Sequence, residues 1–311
     1  MENKCKILVF SCDKYEDAWY PFFTLMDKYW QDCPFEFVLN TESKNCNLQL
    51  QNIKVTTYNL YKPGENVPYG KRTLDHLKRM DCKYVIITMD DFFIRSNVNT
   101  KELLKIMEWM DNDEKIASFC LIHHDDRHSC RYSRYEKGYE HYSLRPRYCK
   151  QNYDFQISVW RRDALIKSWR EYESPWEWEG PANFRSFHDG YKYYDLDEDA
   201  EFPFDYIDYK KGEWSGIRKG KWVKETVYDL FEKEGIKIDY NIRGFFNPQT
   251  DIKPGKTTIK SFLREVRSYG PKMRWKVVLY RIRRLIWCNM LGHELPLNYC
   301  EYIRHKYYDK V

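Results

Sequence analysis

The sequence predicts an α/β fold: a mainly parallel sheet with helices on both faces. Three observations carry this prediction. Over the first 125 residues, short apolar runs alternate with stretches of helical periodicity. The strongest strand-like runs are apolar throughout, as strands buried on both faces are. And 311 residues with an aromatic fraction of 18% can bury a sizeable core, which excludes a disordered chain.

The elements follow in order. Lys6–Ser11 (KILVFS) reads as a first buried strand running into a polar loop, SCDKYED. Trp19–Trp30 sets Trp19, Phe22, Phe23, Met26, Tyr29 and Trp30 at helical spacing, with Pro21 in the first turn. Phe35–Asn40 and Ile53–Tyr58 read as the next strands. Tyr69–Arg79 reads as a helix with Leu74 and Leu77 facing inward. Lys83–Met89 (KYVIITM) is the most strand-like run and ends at Asp90-Asp91. A helix over Thr100–Met110 and a strand over Ile116–Ile122 complete this half. Beyond it, His123–Lys150 reads as polar, tyrosine-rich and irregular. Phe155–Trp160 reads as a strand, Asp163–Trp169 as a helix, and Glu173–Phe187 as a turn leading into a helix. Lys221–Glu234 reads as an amphipathic helix closed by Gly235.

Composition narrows the class. A net charge of +5 is mild, and no nucleic-acid-binding motif accompanies it, so nucleic acid is not an expected partner. None of the 10 cysteines forms a C-x-x-C pair, which excludes a zinc ribbon or a thioredoxin motif. Cysteines inside apolar runs, such as Cys120 in ASFCLI, suit buried reduced thiols, so a cytoplasmic location is expected. The start MENKCKILVF has no signal-peptide core, and no apolar run reaches the length of a membrane span. Abundant Tyr and Trp suit stacking on sugar rings; a base-composition bias of the genome accounts for them equally well.

Several clusters carry chemistry. Asp90 and Asp91 follow a buried strand, where ligands of open α/β sheets bind. Two adjacent carboxylates repel each other unless a cation neutralises them. A hard divalent cation bridging a diphosphate would do so, here Mn2+ or Mg2+; the alternative is that both aspartates cap the next turn. Ser11, Asp13 and Tyr15 sit in the loop after the first strand, on the same rim. Asp13 is suited to a base or ribose and Tyr15 to stacking, or Asp13 is an ordinary N-cap. Glu177 and Glu179 lie among Trp176 and Trp178, where desolvation suits a general base and tryptophan suits a sugar; the alternative is a helix N-terminus with Pro175 and acids in its first turn. His123–Cys130 holds metal-ligand residue types in a polar run, more simply read as a loop near the acceptor. Between Lys253 and Trp287 there are eleven Lys/Arg against one acid, Glu265. There Trp275, Val278, Leu279, Ile282, Leu285 and Ile286 share a helical face, which fits an anionic membrane surface or a solvated basic rim.

The order FSCDKYEDAWYPFFTLMDKYW, YVIITMDDFF, DFQISVW and ESPWEWEG resembles a bacterial family of GT-A-type glycosyltransferases of capsule, exopolysaccharide and lipopolysaccharide assembly, over roughly residues 5–245. The resemblance implies a GT-A-like domain over 1–250, with a nucleotide half at about 1–125 and an acceptor half at about 126–250, and a basic helical extension over 251–311. It implies transfer from a nucleotide-diphosphate sugar, a UDP-sugar for choice, to a glycan or lipid-linked acceptor, with possible peripheral contact with the inner face of the cell membrane. Asp90 and Asp91 stand at the family's acidic motif, adjacent here where Asp-x-Asp is usual. Ser11 and Asp13 fall where the nucleoside binds, and Glu179 or Glu177 where an inverting enzyme carries its base. Lys219 and Lys221 fall in a late loop that meets the donor diphosphate. A non-catalytic scaffold of the same fold and a nucleotidyltransferase are the alternatives.

Overall fold

The structure is a computed structural model and describes residues 4–122, 136–146, 149, 151–207 and 212–251, with 263, 274, 275, 278 and 279. The chain opens with β1 (Cys5–Phe10), a short 3₁₀ turn and α1 (Glu16–Tyr29). There follow β2 (Glu36–Asn40), β3 (Lys54–Thr57), α2 (Tyr69–Arg79), β4 (Tyr84–Met89), α3 (Thr100–Asn112) and β5 (Ile116–Cys120). The second half holds β6 (Glu136–Tyr139), β7 (Tyr142–Leu144), β8 (Ser158–Arg161), α4 (Arg162–Ser168), α5 (Pro175–Glu179) and β9 (Lys192–Leu196). A hairpin of β10 (Ile217–Arg218) and β11 (Lys221–Trp222), then α6 (Lys224–Glu234) and α7 (Pro248–Asp251), complete it.

Nine strands form one sheet in the order β3-β2-β1-β4-β8-β5-β9-β7-β6. β1 pairs in parallel with both β2 and β4, β2 with β3, and β5 with β9. β8 runs antiparallel between β4 and β5, and β7 and β6 close the far edge as an antiparallel pair. The mainly parallel sheet is therefore as expected.

Strand alternation builds two cores. Ile7, Val9, Phe37, Leu39, Tyr84 and Ile86 face α1, α3 and α6. Leu8, Phe10, Val38, Val85 and Ile87 face α2 and α4. Both faces are thus apolar, which explains the unbroken apolar runs.

Several element expectations change. The irregular stretch His123–Lys150 contains the β6–β7 hairpin, and β9 was not anticipated at all. Tyr139, Tyr142 and Tyr194 gather around Phe119 with ring centroids 4.7–5.6 Å apart. Their buried faces are tyrosine, so hydropathy does not register them as strands. FQISVW forms a strand only from Ser158, because Asp154 accepts a bond from the Gln156 N–H at 3.0 Å and makes a turn first. Lys221-Trp222 belongs to the β10–β11 hairpin, and α6 starts at Lys224. The His123–Cys130 cluster and most of the basic tail lie outside the described residues; in that tail Trp275 and Leu279 are helical and exposed. Among the described residues, no helix is long and apolar enough to cross a membrane.

Candidate functional site

The strand order creates a switch point. β1 continues to β2 on one side, and after β3 the chain crosses back to place β4 on the other. Ligands of open α/β sheets bind beyond the carboxyl ends of strands at such a point. Ser11 leaves β1 there, and Asp90 and Asp91 leave β4 beside it. In register, Phe10 pairs with Met89.

Ser11 Oγ donates to Asp90 Oδ2 and accepts from Trp19 Nε1 at 2.7 Å. The indole N–H thereby directs the hydroxyl proton toward the carboxylate. Ser11 thus orients Asp90, and its own hydroxyl is already engaged. Asp90 and Asp91 are 3% and 6% exposed. Burial first, then the neighbouring Asp91 charge, push Asp90 well above the usual carboxylate range. Burial pushes Asp91 up to about 6 against opposing bonds from Ser215 and the Ile217 backbone. Asp91 Oδ1 is buried and has no hydrogen-bond partner. Two desolvated carboxylates with an open acceptor atom fit a hard divalent cation, which takes a few carboxylates and completes its shell with phosphate oxygens and water. Among the described residues, no group of three or more His, Cys, Asp or Glu gathers as an all-protein metal cage.

Cations surround the pair, and sequence reading missed them. Arg243 donates through Nε to Asp17 at 2.7 Å and through Nη2 to the Lys14 carbonyl at 3.1 Å. Its guanidinium lies 4.1 Å from the centre of the Tyr15 ring, so Tyr15 already stacks on a cation. Its charge reaches both aspartates, lowering each. Arg72, on α2 and 3% exposed, donates to the Ser11 carbonyl at 2.8 Å and to Glu42, and burial lowers its pKa to about 10. Tyr69, on the same helix, packs beside Arg72: its ring lies 5.9 Å from Phe10 and 5.2 Å from the Arg72 guanidinium. Burial, then the Asp90 charge, raise its phenol. A lone Arg or Tyr in a helical or loop segment carries no sequence signal that separates it from a solvated one; only topology brings these together.

Asp13 is a loop anchor. Its carboxylate accepts from the backbone N–H groups of Glu42, Ser43 and Lys44 at 3.1–3.2 Å and from Ser43 Oγ at 2.7 Å. It ties the loop after β1 to the loop after β2, and those bonds hold it below the usual carboxylate range against its partial burial.

The β10–β11 hairpin docks on Asp91. Gly216 N–H donates to the Asp91 carbonyl at 2.9 Å, and a Cβ at Gly216 would collide with the Phe93 ring. Its turn is Lys219 (φ 51°) and Gly220 (φ 78°), both left-handed as a two-residue hairpin turn of the primed type requires. Lys219 is exposed, whereas Lys221 pairs with Asp251 at 2.9 Å.

The two glutamates separate. Glu177 is 1% exposed, and its Oε2 accepts from Ser174 N–H and Oγ at 2.9 Å, a capping box. Glu179 is half-buried, and its Oε1 accepts from the Phe155 N–H at 3.3 Å. Phe155 precedes Ser158, the partner of Ile87, so it lies at the Asp90 end of β4; its ring is 5.1 Å from Phe10. Glu179 is therefore held at the rim. Trp178 is no sugar platform: it stacks on Trp169 and Tyr153 at 4.7 and 5.5 Å in the core. Trp176 is 77% exposed.

No family model matches the chain, and no curated protein matches it in sequence. Among solved structures it is similar to a CMP:2-keto-3-deoxy-manno-octonic acid synthetase complexed with CTP, at 13% identity and a TM-score of 0.40, over 75% of this chain and 98% of that one. It is also similar to S. aureus TarS, at 13% identity and a TM-score of 0.38, over 87% of this chain and half of TarS. Against TarS residues 1–349 the identity is 14% and the TM-score 0.41, over 92% and 86% of the two chains.

Proposed function

We propose that the chain is a glycosyltransferase of GT-A type that takes a sugar from a nucleotide-diphosphate donor. One observation carries the reading: two adjacent, buried carboxylates at the switch point, with Asp91 Oδ1 unpartnered. A donor diphosphate there would meet Arg243 and Lys219, and the nucleoside would lie along the loop that Asp13 anchors. A divalent cation, Mn2+ or Mg2+, held by Asp91 and Asp90, supplies charge neutralisation for the departing diphosphate when bound.

The chain's own groups do the rest. Ser11 and Trp19 hold Asp90 in place. Glu179, the glutamate at the rim, takes the proton of an acceptor hydroxyl. The hydroxyl oxygen bonds to the anomeric carbon as the bond from that carbon to the diphosphate oxygen breaks, which inverts the centre. Glu177 supports α5 as its capping residue. The acceptor on this reading is a glycan or lipid-linked glycan, and the basic run from Lys253 suits the anionic membrane surface where a lipid-linked acceptor lies.

Thermal-shift screening against UDP-, GDP-, ADP- and CDP-linked sugars, with and without manganese, tests the reading through ligand linkage. One donor class raising the melting temperature only with manganese supports it. No shift with any donor contradicts it. Pyrophosphate release from CTP and an acidic sugar would instead establish a nucleotidyltransferase.

A further inference from the structure

The β10–β11 hairpin has two faces. Ile217 pairs with Trp222 across it, and Arg218 with Lys221. Cross-strand partners point to one side, and neighbours along a strand to opposite sides. Trp222 is fully buried: its ring packs beside Phe93 and Phe231, and the Arg243 guanidinium lies 5.6 Å from its centre. That inner face carries Arg243, the cation whose charge reaches Asp90 and Asp91. Arg218 and Lys221 turn to the outer face, where both are partly exposed.

On that outer face Arg218 has a stacking platform and no counter-charge. Its guanidinium lies over the Trp214 ring and 5.3 Å from the centre of the Phe246 ring, and Trp214 is 46% exposed. Among the described residues no carboxylate pairs with Arg218, and its Nη1 has no hydrogen-bond partner. Burial pulls its pKa down, and no neighbouring acid offsets that. The acids close by in the sequence are committed elsewhere, Glu213 to Arg95 at 2.7 Å and Asp251 to Lys221 at 2.9 Å. Arg72, Arg95, Arg145, Arg185 and Arg243 each face a carboxylate; Arg218 does not. An aromatic ring covers the flat face of a guanidinium and leaves its N–H edge free, and that edge matches two oxygens of a phosphate or carboxylate. A partly desolvated cation without a counter-charge is unfavourable until an anion reaches it. The surrounding charge favours the more highly charged anion, phosphate: Asp251, tied to this face by Lys221, precedes the basic run from Lys253 in the sequence.

We propose that Arg218 is a phosphate-binding residue: its guanidinium, backed by Trp214, takes two oxygens of a phosphoryl group on the outer face of the hairpin, apart from the donor diphosphate. A soluble phosphate ester and a lipid headgroup both present that group, and the experiment distinguishes them. The inference requires only binding, so it stands whether or not the proposed transfer is correct.

Two probes on the full chain test it: calorimetric titration of inorganic pyrophosphate in the presence of EDTA, and co-sedimentation with phosphatidylcholine vesicles that contain or lack phosphatidic acid. At least one probe should bind wild type, and that binding should weaken roughly ten-fold in Arg218→Gln and in Trp214→Ala. Pyrophosphate binding assigns a soluble source; binding only to vesicles with phosphatidic acid assigns a lipid-borne one. Should Arg218→Gln lower the melting temperature, Arg218→Lys, which keeps the charge and loses the planar fork, decides, with the same weakening expected. UDP with manganese should bind Arg218→Gln as it binds wild type; no UDP binding to wild type would sink the transferase reading and leave this one standing. Neither probe binding wild type, binding that the Arg218 variants leave unchanged, acetate binding as tightly as pyrophosphate, or loss of UDP binding in folded Arg218→Gln would each overturn the proposal.

Discussion

On the β9 and β7 side of the sheet, Arg145 lies buried between Asp154 and Asp195, and the ion pairs hold its guanidinium charged against burial. At the Asp90 end, Asp90 and Asp91 are buried just as deeply, yet they stand side by side, and Asp91 Oδ1 has no partner. The first arrangement is a finished structural device. The second is an unfinished one, where burial raises both acids, like charge adds to the shift of Asp90, and an acceptor atom of Asp91 stays open. Buried charge that the fold itself compensates holds the fold together; buried charge left uncompensated marks the place where a ligand completes the site.

The largest expected effect lies at the unfinished end. Asp91→Ala should lower transfer by roughly 10³-fold, the scale of losing a major electrostatic stabiliser, and should leave the melting temperature unchanged or raised. A transfer rate within ten-fold of wild type would break the contrast. At the finished end, Arg145→Met leaves two buried carboxylates without their cation and should cost about 3–5 kcal/mol of stability in urea unfolding. Its folded fraction should still bind donor. Loss of donor binding at unchanged stability would show that the two ends are coupled.

The glutamates sharpen the contrast within one short helix. Glu179→Gln should lower transfer by roughly 10²-fold, as loss of a general base does. Glu177→Gln should act on stability, through the capping box, with transfer nearly intact. The reverse pattern would move the base to Glu177.

Acid acts by a separate route. His76 is buried on α2 with its ring stacked on Tyr58, and burial lowers its pKa to about 4. The folded state therefore keeps it neutral while the unfolded chain takes up a proton below about pH 6.5. Stability is complete above pH 6.5 and falls as pH drops toward 4, by about 1.4 kcal/mol at pH 5.5. His76→Gln should remove that slope in chemical unfolding at pH 7.5 and 5.5; an unchanged slope would place the acid sensitivity elsewhere.

The parallel half was legible because its strands are buried on both faces and its helices keep a 3.6-residue period, as in KYVIITM and Tyr69–Arg79. The β6, β7 and β9 strands were not, because EKGY, YSL and KYYDL bury tyrosine rings beside charged residues. In the site, Asp90 and Asp91 were legible from their place after the strongest strand. Tyr69 and Arg72, three residues apart on α2, and Arg243, far along the chain, were not, since only the tertiary fold brings them to Ser11, Asp90 and Asp91. The capping role of Glu177 was open in the pattern Ser174-Pro175-Trp176-Glu177, which reads as a capping box; proximity to tryptophan drew it toward catalysis.

The most direct measurement is calorimetric titration of UDP with manganese into wild type, Asp91→Ala and Arg145→Met. The account predicts binding to wild type and to folded Arg145→Met with similar affinity, and none to Asp91→Ala. Binding to Asp91→Ala as tight as to wild type would contradict it.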